Sequence, residues 1–319
     1  MPASPAQLHI PDGFLSPAVA ALGWVIATVV LALAFRQTGR QLGDRMVPMM
    51  GVLAAFIFAA QAINFPVAAG TSGHLIGAAL AAIVLGPWAS LVVMTVVVGT
   101  QALLFQDGGL IALGWNIVNM GALAAFGGYA AHRAVIRLTG DHRPARLGAA
   151  FAAAWVSVEA GAVATSFELA ASGTTDINLA LPAMASVHAL IGIGEGLLTL
   201  AALTILMAAR PELLRQEEEA GGRGQALFVL TAVALTLLLA LAVPLASSNP
   251  DGLQAVAQAQ GFSDLARAIW AGPAANYLVP GVGDPARATI AAVGLGTLIV
   301  CGVAIGLGRL SRRGSRTAG

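Results

Sequence analysis

The sequence contains no lysine: all 16 of its basic residues are arginine. That excludes a phosphate-binding Walker lysine, a Schiff-base lysine and a lysine general base, so any ATP-driven work must draw on hydrolysis by another subunit. It has one cysteine, Cys301, in an apolar run near the end. An intramolecular disulfide and a multi-cysteine metal site are therefore both excluded, and Cys301 reads as a small core residue. Charge is scarce as well, at 10% of residues, where soluble domains carry about 25%. The net charge of +1 implies no polyanionic partner, nucleic acid included. What remains is 58% hydrophobic with a mean hydropathy of +0.83. The apolar runs are continuous rather than alternating, which argues for membrane helices and against a barrel. The 38 glycines suit helices that pack closely in lipid.

Apolar segments fall at 16–35, 46–63, 74–87, 89–105, 110–131, 147–170, 182–209, 225–246 and 288–307. The third is short for a span of about 20 residues and ends at Gly86-Pro87, so a broken or tilted helix is expected there. With these spans, all arginines except Arg267 and Arg287 fall on one side. The positive-inside rule then puts the N-terminus outside and the C-terminus in the cytoplasm, in a multi-pass protein of the inner (plasma) membrane. The charged, Gly-ended stretch 210–224 reads as a cytoplasmic linker. It separates a seven-span part, 8–209, from a two-span part, 225–319, whose outside loop 247–287 contains a helix-like stretch from Asp251 to Trp270. Residues 1–15 have no positive charge and three prolines, a poor fit to a signal peptide.

Histidine is the scarce resource for chemistry. His132 and His142 lie in the cytoplasmic arginine loop and read as solvated. His9 and His74 fall on the outside face. His74 is either a helix-start residue satisfied by backbone or a ligand; the Gly70–Gly73 turn before it, and the Gly73/Gly77 spacing that would let a helix press close, favour the second. His188 and Glu195, seven residues apart, share one helix face, and Glu159 is a partner for either. They read as structural or supporting groups, and in a rival reading as a proton relay of a secondary divalent metal transporter. An intramembrane metalloenzyme is disfavoured, because no His-Glu-x-x-His or comparable cluster exists.

A histidine second from a free N-terminus has distinctive chemistry. The amine, the next amide nitrogen and the imidazole Nδ1 close a five- and a six-membered chelate ring in one plane. An imidazole from elsewhere can fill the fourth corner, and planar nitrogen sets favour Ni(II) and Cu(II).

Several motifs resemble one family. His9-Ile10-Pro11-Asp12-Gly13-Phe14-Leu15 resembles the opening of the substrate-capture (M-type, CbiM/NikM) components of nickel and cobalt energy-coupling-factor (ECF) transporters. Gln61-Ala62-Ile63-Asn64-Phe65-Pro66, the Gly70–His74 turn, Phe105-Gln106-Asp107-Gly108-Gly109-Leu110, Trp115–Gly121 and Ile191–Glu195 are similar to its further motifs. Ser247–Leu253 and Tyr277–Gly283 resemble the small N-type companion subunit in its nickel form, with Gln254 where glutamate is usual. The resemblance implies an all-α, seven-span ECF substrate-binding fold plus a two-span C-terminal module. It implies a transport component rather than an enzyme, carrying Ni(II) or Co(II) as substrate and no organic cofactor. Its partners would be a transmembrane coupling subunit and ATPase subunits, besides membrane lipid. The implied ligands are His9, His74 and the nitrogen of Leu8 acting as N-terminal amine. Gln61, Asn64, Asp107, His188 and Glu195 would support them. Seven residues precede Leu8, so cleavage, a different site or a later start must reconcile this; initiation at Leu8, giving Met-His-Ile-Pro-Asp-Gly, is the expectation.

Overall fold

The computed structural model describes residues 9–43, 46–209 and 222–317. Leu8, Arg45, Arg210, Arg215 and most of the linker lie outside the described residues. The described chain is a polytopic helical bundle. It contains α1 (Pro17–Gln41), α2 (Val47–Gln61), a minimal hairpin β1 (Phe65–Pro66) and β2 (Ser72–Gly73), α3 (Ala78–Leu85), α4 (Pro87–Thr100), α5 (Leu113–Ile117), α6 (Ala124–Thr139), α7 (Arg143–Ala171), α8 (Ile177–Ala209), α9 (Gly222–Ala240), α10 (Gly252–Gln260) and α11 (Pro285–Thr317). Among the described residues, five stretches are long and apolar enough to cross a membrane: Pro17–Gln41, Pro87–Phe105, Arg143–Ala171, Ile177–Leu206 and Pro285–Gly314.

Local chemistry sets the boundaries. Ser16 caps α1 by accepting from the Val19 N–H, with Pro17 in the first turn. His142 does the same for α7 through Ala145. Gly86, at φ 85°, ends α3, and Pro87 starts α4 directly behind it. Two π-helical stretches, Gln101–Phe105 after α4 and Val118–Leu123 between α5 and α6, flank the 106–112 turn.

Two expectations need correction. The third segment is not a helix from His74: α3 spans only Ala78–Leu85, about 12 Å at 1.5 Å per residue. Residues 62–77 instead form an irregular hairpin, and His74 lies between β2 and α3. The Gly73/Gly77 pair is therefore no helix-packing step; Gly73 lies against Ile191 and Gly77 against Ile57. Likewise the helix expected from Asp251 to Trp270 stops at Gln260, because Gly261 takes a left-handed conformation at its C-cap.

The main core centres on α2, which is apolar around its whole circumference and buried along most of its length. The C-terminal helices α9 and α11 pack against it. A second core joins the N-terminal segment to the C-terminal loop: Ile10, Phe14 and Leu15 pack with Leu169 of α7, Met184 of α8, and Leu253, Val256 and Phe262 of the α10 region. The Phe14 and Phe262 rings meet edge-on at 5.1 Å.

Candidate metal centre

Residues 9–15 are threaded into one end of the bundle and clamped on both sides. Asn116 imitates a strand partner for Ile10, accepting from its N–H at 3.1 Å and donating to its carbonyl at 3.0 Å. Gly109 donates to the same carbonyl at 2.9 Å. The Asp12 carboxylate accepts from the N–H groups of Leu110, Ile111 and Ala112 at 2.7–3.1 Å, tying the segment to the turn before α5. A side chain at position 109 would collide with Asp12, which explains the second glycine of Asp107-Gly108-Gly109. Asp12→Ala strands those amides and is expected to cost about 2–4 kcal/mol, read as a fall in melting temperature of the purified protein.

The hairpin carrying His74 is held from below. Glu195 of α8 is fully buried, and its two oxygens accept from the Ile76 N–H at 2.7 Å and the Gly77 N–H at 2.8 Å. A carboxylate therefore caps the start of α3 from a neighbouring helix. Gln61 donates to the Ile76 carbonyl at 2.8 Å and accepts from Gln101 at 2.8 Å. Asn64 offers its carbonyl to the Ser247 N–H, while its side-chain oxygen is buried without a partner.

These constraints bring His9 and His74 together, with ring centroids 5.7 Å apart and planes at 81°. Both line a cavity of about 80 Å³ together with Asn116, Asn119, Thr165, His188 and Asp251. Two imidazoles at adjacent corners of one metal, each bound at about 2.0–2.1 Å, have centroids about 4.5 Å apart, so the rings at 5.7 Å are near neighbours that a shared ion would draw closer. In His74, Nδ1 lies 3.1 Å from the Leu75 carbonyl, and in His188 it lies 2.7 Å from the Met184 carbonyl. A carbonyl only accepts, so Nδ1 is the donor in both contacts.

His9 is arranged differently from the chelate chemistry. Its Nδ1 faces Asp107, 3.2 Å from the carbonyl and 3.3 Å from Oδ1, and its buried Nε2 has no partner. Burial lowers the affinity of this imidazole for a proton, but Asp107 outweighs it, and the pKa is raised. The chelating nitrogen is thus turned away from the cavity. Among the described residues no three His, Cys, Asp or Glu side chains converge as a ready-made metal cluster. Leu8, the third element of the expected set, lies outside the described residues.

The loop after α9 forms the lid of this end. Ser72 donates its N–H to the Pro250 carbonyl and its hydroxyl to the Asn249 carbonyl, both at 2.8 Å. Asp251 caps α10 through the Gln254 N–H at 2.7 Å, and burial pushes its carboxyl up to about 7. Gly252 lies against the His188 ring so closely that a methyl group there would displace one of them. Asp12 pairs through its carbonyl with the Arg267 N–H at 2.7 Å.

His188 therefore enters the cavity wall, whereas Glu195 is spent on the α3 amides. Glu159 Oε1 is buried without a partner, so no connected His188–Glu195–Glu159 relay is formed. Residues that sequence reasoning did not single out as site groups include Asn116 and the cluster in which Asn119 donates to Thr165 at 3.2 Å and to Glu168 at 3.0 Å. The available signal was polar side chains inside otherwise apolar spans.

Fold and site together define a multi-pass helical membrane protein with a histidine-lined cavity at one end, closed by its N-terminal segment, a hairpin and a C-terminal loop. Residues 9–213 match the family described as the cobalt uptake substrate-specific transmembrane region (CbiM), and the chain belongs to that family. Over 307 residues, 96% of this chain and 99% of the relative, it is 35% identical to a putative fused nickel transport protein NikMN of Archaeoglobus fulgidus. A cobalt transport protein CbiM of Geobacter sulfurreducens is 32% identical over 75% of this chain and 72% of its own. The crystal structure of a truncated transition metal transporter superposes with a TM-score of 0.57 at 33% identity, covering 63% of this chain and 99% of that one. The protein is thus a metal-transport membrane component.

Proposed function

We propose that this chain is the metal-capturing component of an ATP-driven ECF-type importer of Ni(II), with Co(II) the alternative cargo. The observation that carries the reading is the approach of His9 and His74 to 5.7 Å across a small, loop-covered cavity. In this reading the metal lies in a planar nitrogen set: His74 Nε2, His9 Nδ1 after its ring turns from Asp107, the His9 amide and the nitrogen of residue 8. Asn116 and Asp12 hold the segment bearing His9, and Glu195 and Gln61 hold the hairpin bearing His74. His188 and Asp251 line the wall beside them.

The two-part organisation, 8–209 and 225–319 joined by 210–224, has the companion loop 247–287 acting as the cover of the loading site. The similarity over nearly the full length to a fused nickel transport protein supports both that division and nickel. The cavity end faces outward and the arginine-rich end faces the cytoplasm. A coupling membrane subunit and ATPase subunits supply the energy, consistent with a chain that has no lysine for a phosphate loop. Metal analysis and the visible spectrum of protein from cells grown with both ions test this. A yellow, diamagnetic nickel form is expected; a paramagnetic octahedral spectrum, or no bound metal, would sink the planar site.

A further inference from the structure

His9 and His74 ride on separate supports. The His9 segment is docked on the turn after α4, where Gly109 donates to the Ile10 carbonyl and Asp12 accepts from the amides of Leu110, Ile111 and Ala112. The His74 hairpin is docked on α2 and α8 through Gln61 and Glu195. Between the two supports stands a pair of glutamines, both fully buried. Gln61 is the last residue of α2, and Gln101 is the first of the π-helical stretch Gln101–Phe105.

The pair bridges the supports with a fixed sense. Gln101 Nε2 donates to Gln61 Oε1 at 2.8 Å, and Gln61 Nε2 donates to the Ile76 carbonyl at 2.8 Å. Ile76 follows His74 by two residues. At the other end, the Gln101 carbonyl accepts the Asp107 N–H at 3.0 Å and also the N–H of Gln106, which has a left-handed backbone at φ 58°. Flipping the Gln61 amide would set its oxygen against the Ile76 carbonyl and its NH₂ against Gln101 Nε2, so the order of donors cannot reverse. Stability alone argues against this arrangement. Gln101 Oε1 is buried without a partner, and an apolar side chain of similar volume would avoid that loss.

The His9 and His74 centroids, at 5.7 Å, are wider apart than the about 4.5 Å of adjacent corners on one metal. The separation of the two supports therefore bears directly on whether both rings reach one ion in a plane. Resting on the reading of His9 and His74 as ligands, the geometry points to Gln101 as a positioning residue: through Gln61 it sets the separation of the two ligand segments, and with it the planarity of the nickel site. Gln101 is not among the residues lining the cavity, and it acts through the backbone it holds at each end of the bridge.

The test is nickel titration of the full chain, comparing wild type, Gln101→Met, Gln61→Met and the double variant. Methionine matches glutamine in length and is tolerated in cores. In Gln101→Met one orphaned oxygen, Gln101 Oε1, is exchanged for another, Gln61 Oε1, so the fold should hold. Its nickel Kd is expected to rise about tenfold, the scale typical of outer-shell partners, and the planar-nickel absorption per bound ion should fall at saturation. In the Gln61→Met background the same change should alter Kd less than about twofold, because the bridge is already broken. A purely structural glutamine would change folded yield or melting temperature and leave Kd and absorption per bound nickel at wild-type values. That result, or an undiminished effect in the Gln61→Met background, overturns the inference and leaves the reading of the site standing. A wild type that binds no nickel, or binds it without the planar absorption, overturns that reading and this inference with it. Should Gln101→Met not fold, Gln101→Asn keeps the amide but shortens its reach by one methylene. A raised Kd and weaker absorption are then expected, and wild-type values overturn the inference.

Discussion

Replacing His74 by alanine is expected to abolish metal retention while leaving a folded, membrane-inserted protein. The imidazole contributes one of four proposed nitrogens, and losing a direct ligand should cost more than the 10–100-fold typical of outer-shell partners. The fold should hardly notice. His74 is only half-buried and lies in irregular chain between β2 and α3. The hairpin around it is fixed by other groups, namely Glu195 on the Ile76 and Gly77 amides, Gln61 on the Ile76 carbonyl and Ser72 on the C-terminal loop. Bound nickel after gel filtration, set beside an unchanged elution profile and melting curve, decides the matter. Retention of stoichiometric nickel by His74→Ala would remove the proposed site.

Glu195→Ala should do the opposite, damaging the fold first. Two backbone N–H groups lose their acceptors at the start of α3 in an apolar surrounding. A stranded buried donor costs about 1–3 kcal/mol, so a loss of about 2–5 kcal/mol is expected. Folded yield and melting temperature should drop sharply. The molecules that do fold should bind nickel with less than about tenfold loss, because Glu195 touches the hairpin backbone rather than the cavity. A hundredfold affinity loss at normal yield would place Glu195 beside the metal instead. Glu195→Gln keeps one acceptor oxygen but turns an NH₂ group toward a backbone N–H, and should fall between wild type and alanine.

The membrane class was legible because solvent imposes it: long uncharged runs admit little besides spanning helices. Legible too were the turns, since Gly86-Pro87 and Asp107-Gly108-Gly109 carry their backbone chemistry in their residue types. His74 illustrates the limit. It stands at the edge of an apolar run and reads as a helix start, yet the chain from Ala62 to Gly77 is irregular. Its polar backbone groups are met by distant partners: Glu195 lies more than a hundred residues away, and Pro250 and Asn249 further still. No local pattern announces such a partner, so periodicity extends the helix by default. Asp251–Trp270 failed for a local reason, since Gly261 stops a helix that hydropathy alone would continue.

The sequence alone determined the membrane class of this protein, the candidate histidines and the exclusion of lysine-based chemistry. All of these depend on residue type and near-neighbour spacing. Only the tertiary structure decided which polar groups meet. It seated Tyr277 on Asp107 and Asp107 on His9, turned His9 Nδ1 away from the cavity, gave Glu195 to the α3 amides and closed the C-terminal loop over His188. The physical reason is that a buried polar group must find a partner wherever the packed helices bring one, and the cost of leaving it unpaired is paid at the level of the whole fold.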